Sequence, residues 1–222
     1  GQRRKTCVRR TTSSHNDPAS TKTRMPTYAS EAGMLQYLSM TVSVLLLGGE
    51  CTGKTSLATA VAEDHRTLGR SVVVVAEELR DFVDSTGRTP HRDEQEALWR
   101  RQCESLAYAL DTARTRSVDL LVCDPAPLMT AVYSVQYFAD DSLLDHALVA
   151  IETADLVIWC LPDLPWRPDG LHRDGPEARH ATHELLTSLV VPRIDERSLH
   201  IAAGSLQQRV ADVRPVIEML LA

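Results

Sequence analysis

The feature that most constrains this 222-residue chain is a glycine-rich octapeptide that directly follows a short, mainly apolar segment. The apolar segment runs from Val42 to Leu47 apart from Ser43, and the octapeptide from Gly48 to Thr55 reads G-G-E-C-T-G-K-T. An apolar run of this length is typical of a strand buried on both faces. Glycines then allow the backbone to curl so that several N–H groups face one anion. The pattern G-x-x-x-x-G-K-T therefore predicts a phosphate-binding loop between a strand and a helix.

The polar residues of this P-loop suit a nucleoside triphosphate. The start of the following helix adds a positive dipole end, the Lys54 ammonium can bridge the β- and γ-phosphates, and the Thr55 hydroxyl can ligate Mg²⁺. We therefore expect ATP and Mg²⁺ as cofactors, with GTP as the alternative nucleotide. A glycine-rich turn without a ligand is the other interpretation. The predicted nucleotide-binding residues here are Gly48, Gly49, Glu50, Cys51, Thr52, Gly53, Lys54, Thr55 and Ser56.

Apolar segments alternate with longer amphipathic segments through the rest of the chain. Strands are predicted at 42–47, 71–76, 118–123, 155–160 and 198–202. Helical segments are predicted at 54–65, 92–114, 127–153, 177–190 and 205–221, and the segment at 127–153 could be broken at 139–142. This alternation predicts an α/β P-loop NTPase fold, in which helices sandwich a five-stranded parallel sheet and a lid loop covers residues 162–176. We expect residues 71–76 to be a buried strand, and Pro215 to kink or interrupt the last helix.

Charge divides the chain into two parts. Residues 1–24 contain seven Lys and Arg against one Asp, whereas the later residues contain 17 Lys and Arg against 29 Asp and Glu. We interpret residues 1–39 as a basic, disordered tail and residues 40–222 as the P-loop domain. The acidic domain argues against binding to duplex DNA, although the tail could contact nucleic acid or an acidic partner.

Cysteine usage and hydropathy indicate the compartment. The five cysteines contain no C-x-x-C pair, which argues against a zinc site or a disulfide framework. No apolar run is long enough to span a bilayer, and the basic N-terminus lacks the apolar segment of a signal peptide. We therefore expect a cytoplasmic protein with no membrane partner.

The ends of the predicted strands carry the candidates for acceptor chemistry, because ligands bind beyond the carboxyl ends of parallel strands. Glu77 and Arg80 follow the second strand, where an acid can accept a hydroxyl proton and an arginine can hold the acceptor. The alternative is a charged first turn of a surface helix. Asp124 ends the third strand, as does the acid that lies beside Mg²⁺ in P-loop enzymes, although it could instead cap the next helix. Tyr133 follows this strand, where a flat base could stack.

The loop after the fourth strand has the composition of a lid. It contains prolines, glycines, arginines and Trp166, an aromatic side chain that is costly to leave without a partner. A lid of this kind excludes water and brings a cation, here Arg173, to the transferring phosphoryl group.

These motifs together resemble the ribosylnicotinamide kinase domain of NadR-type proteins, within a group of small P-loop kinase-like ATPases. The resemblance extends from about Val42 to Leu221. It rests on the P-loop, on E-x-x-R-x-aromatic at 77–82, on the strand that ends in Asp124, on P-W-x-x-D-G-L at 165–171, and on G-S-x-x-x-R at 204–209. The sequence departs from the family at His172, where an arginine is usual, and lacks the second acid that often follows Asp124.

The resemblance implies a phosphotransferase that moves the γ-phosphate of ATP to the 5′-hydroxyl of nicotinamide riboside, a small nucleoside-like substrate. The implied catalytic residues are Lys54, Glu77, Asp124 and Arg173; acceptor contacts are Glu77, Arg80, Asp124, Tyr133 and Trp166; Mg²⁺ ligands are Thr55 and Asp124; and Gly204 and Arg209 are further nucleotide contacts. Two alternatives are an NTP-driven switch and a kinase for another nucleoside or small metabolite. Either Glu77 or Asp124 could be the general base.

Overall fold

The computed structural model describes residues 41–168, 170 and 174–222. The predicted tail at 1–39 lies outside the described residues. The strands are β1 (Val42–Leu47), β2 (Val72–Val75), β3 (Leu120–Cys123), β4 (Leu156–Cys160) and β5 (Leu199–Ala202). The helices are α1 (Lys54–Thr67), α2 (Glu78–Thr86), α3 (Gln95–Thr115), α4 (Leu128–Phe138), α5 (Leu144–Glu152), α6 (Pro176–Leu185) and α7 (Leu206–Leu220), with short irregular turns at 92–94 and 186–193.

All five strands are parallel and lie in the order β2-β3-β1-β4-β5. β1 is central: Val44 pairs with Val122 of β3 on one side and with Leu156 of β4 on the other. The carboxyl ends of β1, β3 and β4 therefore meet at the middle of one sheet edge. The predicted fold class, a parallel five-stranded sheet flanked by helices, is confirmed.

The sheet has an apolar core on each face. Alternate residues of β1, such as Leu46 and Leu47, are almost fully buried in different cores. Helices α1 and α7 cover one face, and α3, α4 and α5 cover the other. In the described ranges, no helix combines the length and the apolar character needed to cross a membrane.

The structure differs from the sequence prediction at β2 and at Pro215, and it contains the helix α2, which is not among the predicted helical segments. The second strand is not buried throughout, because β2 is an edge strand and Val74 is 40% exposed. Pro215 does not interrupt α7, which is continuous from Leu206 to Leu220. Pro215 lies on the exposed side of α7, whereas Val213 and Ile217 bury the other side against the sheet.

The packing of α7 generates a stability prediction. Replacing the fully buried Ile217 with alanine should lower the free energy of unfolding by about 2–5 kcal/mol, because apolar contact is lost and a cavity remains. Met219 lies on the same helix but is 71% exposed, so Met219→Ala should change it by less than about 0.5 kcal/mol. Urea unfolding of both variants tests this; equal effects would contradict the described orientation of α7.

Candidate active site

The P-loop closes on itself through its own side chains. The Lys54 ammonium donates to the carbonyl oxygens of Gly48 and Gly49 at 2.8 and 2.9 Å, and the Thr52 hydroxyl donates to Gly49 O at 2.9 Å. Gly48 has φ 146°, and a Cβ there would lie 2.6 Å from the Thr52 hydroxyl oxygen and 2.8 Å from a β4 carbonyl oxygen. Gly53 has φ 82° and starts α1. Glycine is therefore required at both turns of the loop.

Arg209 supports the P-loop from behind. Its side chain is 1% exposed, and it donates to Thr52 O at 2.6 Å, Gly204 O at 3.0 Å and Leu161 O at 3.1 Å. It also forms an ion pair with Asp163. Four N–H groups of the guanidinium are thus bound to protein acceptors. These contacts give Arg209 a role in fixing the loop, with Gly204 as one of its acceptors. The nucleotide contacts that the family resemblance implies for Arg209 and Gly204 stay predictions.

A cavity of about 430 Å³ opens in front of the P-loop. Its walls come from four regions: the P-loop, the start of α2, the segment from Thr89 to Gln95, and α4. The predicted residues Lys54, Thr55, Glu77, Arg80 and Tyr133 all line it. Asp174, at the end of the lid loop, lines it as well. The structure therefore brings the predicted phosphate and acceptor residues around one space.

Acidic groups dominate the electrostatics at the α4 side of this cavity. Burial raises the pKa of the Tyr133 hydroxyl well above its ordinary value, and the negative charges of Glu77, Glu50 and Asp124 raise it further. Tyr133 consequently remains protonated at neutral pH and can donate a hydrogen bond. Tyr137 lies one helical turn further on, with ring centroids 6.3 Å apart and an interplanar angle of 46°.

Asp124 lies at the end of β3, between β1 and β2. Its backbone N–H donates to Val75 O at 2.9 Å, and its side chain is 6% exposed. Among the described residues, the buried Oδ1 atom has no hydrogen-bond partner. The helix-cap alternative is wrong, because α4 begins only at Leu128, with Pro127 at its N-cap. Asp124 is absent from the cavity lining, so its carboxylate lies beside that space rather than in its wall.

The P-loop also holds both ends of the lid loop. At the first end, the Arg167 N–H donates to Cys51 Sγ at 3.2 Å, and the Cys51 thiol donates to Pro165 O at 3.6 Å. At the other end, the Glu50 carboxylate accepts the Asp174 N–H at 2.9 Å and the Tyr137 hydroxyl at 3.3 Å. Burial raises the pKa of Glu50. Residues 50 and 51 therefore connect the P-loop to the lid loop through hydrogen bonds.

Two predicted lid residues are not placed at the cavity. Arg173 lies outside the described residues. Trp166 is half-buried, and it is not among the described residues that line the cavity. Its indole N–H is buried without a partner in the described part of the chain. The proposed acceptor contact of Trp166 thus stays a prediction.

The family comparison agrees with this geometry. A family described as "AAA domain" matches residues 43–209. The chain belongs to this family. A search of curated protein sequences finds no match.

Solved structures similar to this AAA domain include NadR and a thymidylate kinase. Two are NadR chains, one in complex with NAD and AMP-PNP and one in complex with NR, at 16% and 17% identity and a TM-score of 0.61 each. They align with 81% and 79% of this chain, which spans about half (50%) of their length. Thymidylate kinase from Ehrlichia chaffeensis has a TM-score of 0.55 at 12% identity, covering 81% of this chain and 99% of its own. The resemblance to NadR-type proteins is confirmed at the level of the fold.

Several cavity residues were missed by the sequence reasoning. They come from the turn between α2 and α3 and from the first residue of α3, namely Thr89, Pro90, His91 and Gln95. A signal existed for Gln95, which is 5% exposed and lies three residues before Leu98 on the buried stripe of α3. A polar residue at a core position of an amphipathic helix indicates a polar environment around it.

The position of Arg209 generates a second prediction. Arg209→Met should lower the free energy of unfolding by about 1–3 kcal/mol, because three carbonyl groups lose a donor and the partly exposed Asp163 carboxylate loses its ion-pair partner. It should also weaken ATP binding, since the P-loop loses its support. The control is Arg214→Met on the same helix, whose ion pair with Asp64 is half-exposed and contributes at most about 1 kcal/mol. Calorimetry and urea unfolding measure both effects; unchanged ATP affinity in a folded Arg209 variant would refute the support role.

Proposed function

We propose that this protein is an ATP-dependent kinase of a small nucleoside-like molecule, with the 5′-hydroxyl of nicotinamide riboside as the acceptor. The observation that carries the proposal is the shared cavity, in which Lys54 of the P-loop meets Glu77 and Arg80 of the β2–α2 junction. Its volume of about 430 Å³ is within the range of small-molecule sites. The similarity of the fold to NadR, solved with NR and with AMP-PNP, supports the acceptor and the donor.

The residues around the P-loop fit a magnesium ion. The carboxylate of Asp124 is buried with an unpartnered oxygen, and Thr55 lines the cavity at the start of α1. A single protein carboxylate is enough for such a site, because Mg²⁺ is usually held by one or two carboxylates together with phosphates. When bound, Mg²⁺ supplies positive charge to the β- and γ-phosphate oxygens.

Each catalytic role follows from the charge and position of a side chain. The Lys54 ammonium donates twice to the loop and keeps a third N–H for a phosphate oxygen. Glu77 lies at the N-cap of α2 and faces the same cavity, where its carboxylate orients the acceptor hydroxyl and accepts its proton. Arg80, one turn further along α2, binds the acceptor, and Tyr133 donates a hydrogen bond or stacks on its ring. The lid cation in this proposal is Arg173.

Loss of the P-loop lysine tests the donor half of the proposal. Lys54→Ala should reduce phosphoryl transfer at least ~100-fold, because a positive charge on the transferring group is removed. Lys22→Ala removes the same charge from the predicted tail and should leave the rate unchanged. A coupled assay that detects phosphorylation of nicotinamide riboside measures the rate. Near-normal turnover of the Lys54 variant would contradict the assignment of Lys54 to the transferring phosphate.

Variants at the β2–α2 junction test the acceptor half. Glu77→Gln should keep MgATP affinity but lower kcat by about 10²–10⁴-fold, whereas Arg80→Ala should act mainly on the KM of the acceptor. Glu78→Gln is the matched control, because Glu78 carries the same charge but bonds Ser105 outside the cavity at 2.6 Å. Calorimetry with MgATP and turnover of a panel of nucleosides separate these effects.

Each other outcome of that assay points to a named alternative. A normal Glu77→Gln enzyme together with an inactive Asp124→Asn enzyme would move the base to Asp124. Phosphorylation of another nucleoside in place of nicotinamide riboside would keep the kinase and change its substrate. Slow ATP or GTP hydrolysis with no phosphorylated acceptor would refute the kinase and favour a nucleotide-driven switch.

A further inference from the structure

The backbone around Glu77 has little support from the sheet. Glu77 follows β2, which among the described strands pairs with β3 alone, and its φ and ψ of −82° and 113° are extended. It is the N-cap residue of α2, but its side chain makes no capping hydrogen bond. Neither a second neighbouring strand nor a cap therefore fixes the direction of the chain at this residue.

A buried glutamine on α3 supplies that support. Gln102 is 2% exposed, and its side-chain carbonyl oxygen accepts the N–H of Glu78 at 2.8 Å. Its side-chain NH₂ group donates to Ala76 O at 3.0 Å. One carboxamide thus pairs with the backbone carbonyl group before Glu77 and with the backbone N–H group after it. A neighbouring β-strand would form hydrogen bonds to the same kinds of group.

We propose that Gln102 is a positioning residue for phosphoryl transfer, which fixes the Glu77 carboxylate relative to the P-loop. This inference rests on the proposed role of Glu77 as the acceptor base. A general base must approach its hydroxyl to about 2.6–3.2 Å, and a misplacement of about 1 Å costs on the order of 100-fold in rate. The two hydrogen bonds restrict the peptide groups on both sides of Glu77, so they limit that displacement.

The same carboxamide also contacts the strand end that carries the other acid. The NH₂ group of Gln102 lies 3.8 Å from the sulfur of Cys123, the last residue of β3. Asp124 follows immediately in the chain. Gln102 therefore contacts the carboxyl ends of both β2 and β3. The two candidate acids, Glu77 and Asp124, lie next to these contacts.

The sequence carries a trace of this role. Gln102 occupies the buried stripe of α3 at the spacing Leu98–Gln102–Leu106, where an apolar residue would be expected. Burying an amide among apolar side chains is unfavourable unless its hydrogen bonds are made. If Gln102 acted only on folding, its replacement would change stability but not kcat. A positioning role predicts a change in kcat as well.

The principal variant is Gln102→Met, which keeps approximate volume and removes both hydrogen bonds. We expect kcat for nicotinamide riboside to fall by about 10–100-fold while MgATP affinity is retained. In the Glu77→Gln background the same change should have at most about a twofold effect, because there is no longer a base to position. A full, independent effect in that background, or an unchanged kcat in the single variant, would overturn the proposal.

A control variant at the opposite end of β2 reports on folding alone. Asp119 accepts hydrogen bonds from both the N–H and the hydroxyl of Ser71, each at 2.7 Å, far from the cavity. Asp119→Ala should lower the melting temperature and leave kcat unchanged at temperatures where the protein is folded. If it reduces kcat as much as Gln102→Met does, the positioning role is refuted.

Two further measurements keep the inference testable if Gln102→Met folds poorly or no acceptor is turned over. In Gln102→Glu the protonated carboxyl has one donor and one acceptor, like the glutamine, so kcat relative to wild type should rise as the pH falls; a constant ratio would contradict the proposal. Amide hydrogen exchange at Glu78 needs no substrate. The amide should be protected in wild type, in Asp119→Ala and in Gln102→Glu but not in Gln102→Met, and equal exchange in all four would refute the hydrogen bond from Glu78 to Gln102 as a restraint even where the kinase proposal has itself failed.

Discussion

The pairing of β1 with parallel strands on both sides is the constraint on which the site depends. A parallel strand buried on both faces must be apolar along its length, and the chain can become polar only where the strand ends. The P-loop occupies that end, with Asp124 beyond β3 on one side and the lid loop beyond β4 on the other. Because the strands run in one direction, residues separated by more than a hundred positions reach one edge. The parallel sheet therefore already brings together the loops that would form a phosphate site.

Polar side chains fasten the strands at both ends of this sheet. At the amino ends, Asp155 accepts hydrogen bonds from Ser43, and Asp119 accepts them from Ser71. At the carboxyl ends, the side chains of Arg209 and Gln102 bind main-chain groups of the loops that follow. The amino-end bonds fix strand position, whereas the carboxyl-end bonds fix the segments that carry the proposed chemistry. This difference explains why we expect effects on turnover only at the carboxyl end.

The cavity carries charges of both signs. Lys54 and the start of α1 present positive charge, while Asp124, Glu77 and Glu50 lie toward α4, where they raise the pKa of Tyr133. In the proposed kinase, Asp124 would hold Mg²⁺, whose charge would offset the repulsion between these carboxylates and a phosphate, and Glu77 would remain available to the acceptor hydroxyl group. The P-loop also binds the two ends of the lid loop through Cys51 and Glu50, so phosphate binding and lid position share one segment.

The sequence by itself determined the fold class, the P-loop and the order of the five strands along the chain. Two local patterns determine these features. They are the periodicity of apolar residues and the presence of glycine where the backbone must turn sharply. It also placed Glu77, Arg80 and Asp124 at strand ends. Only the tertiary structure decided that β2 is an edge strand with Val74 exposed, that Arg209 faces the back of the P-loop, and that His91 and Gln95 line the cavity. It also showed that Gln102 bonds the backbone on both sides of Glu77. These outcomes depend on which strands become neighbours and which helix covers each face, and such long-range contacts leave little local pattern in the sequence.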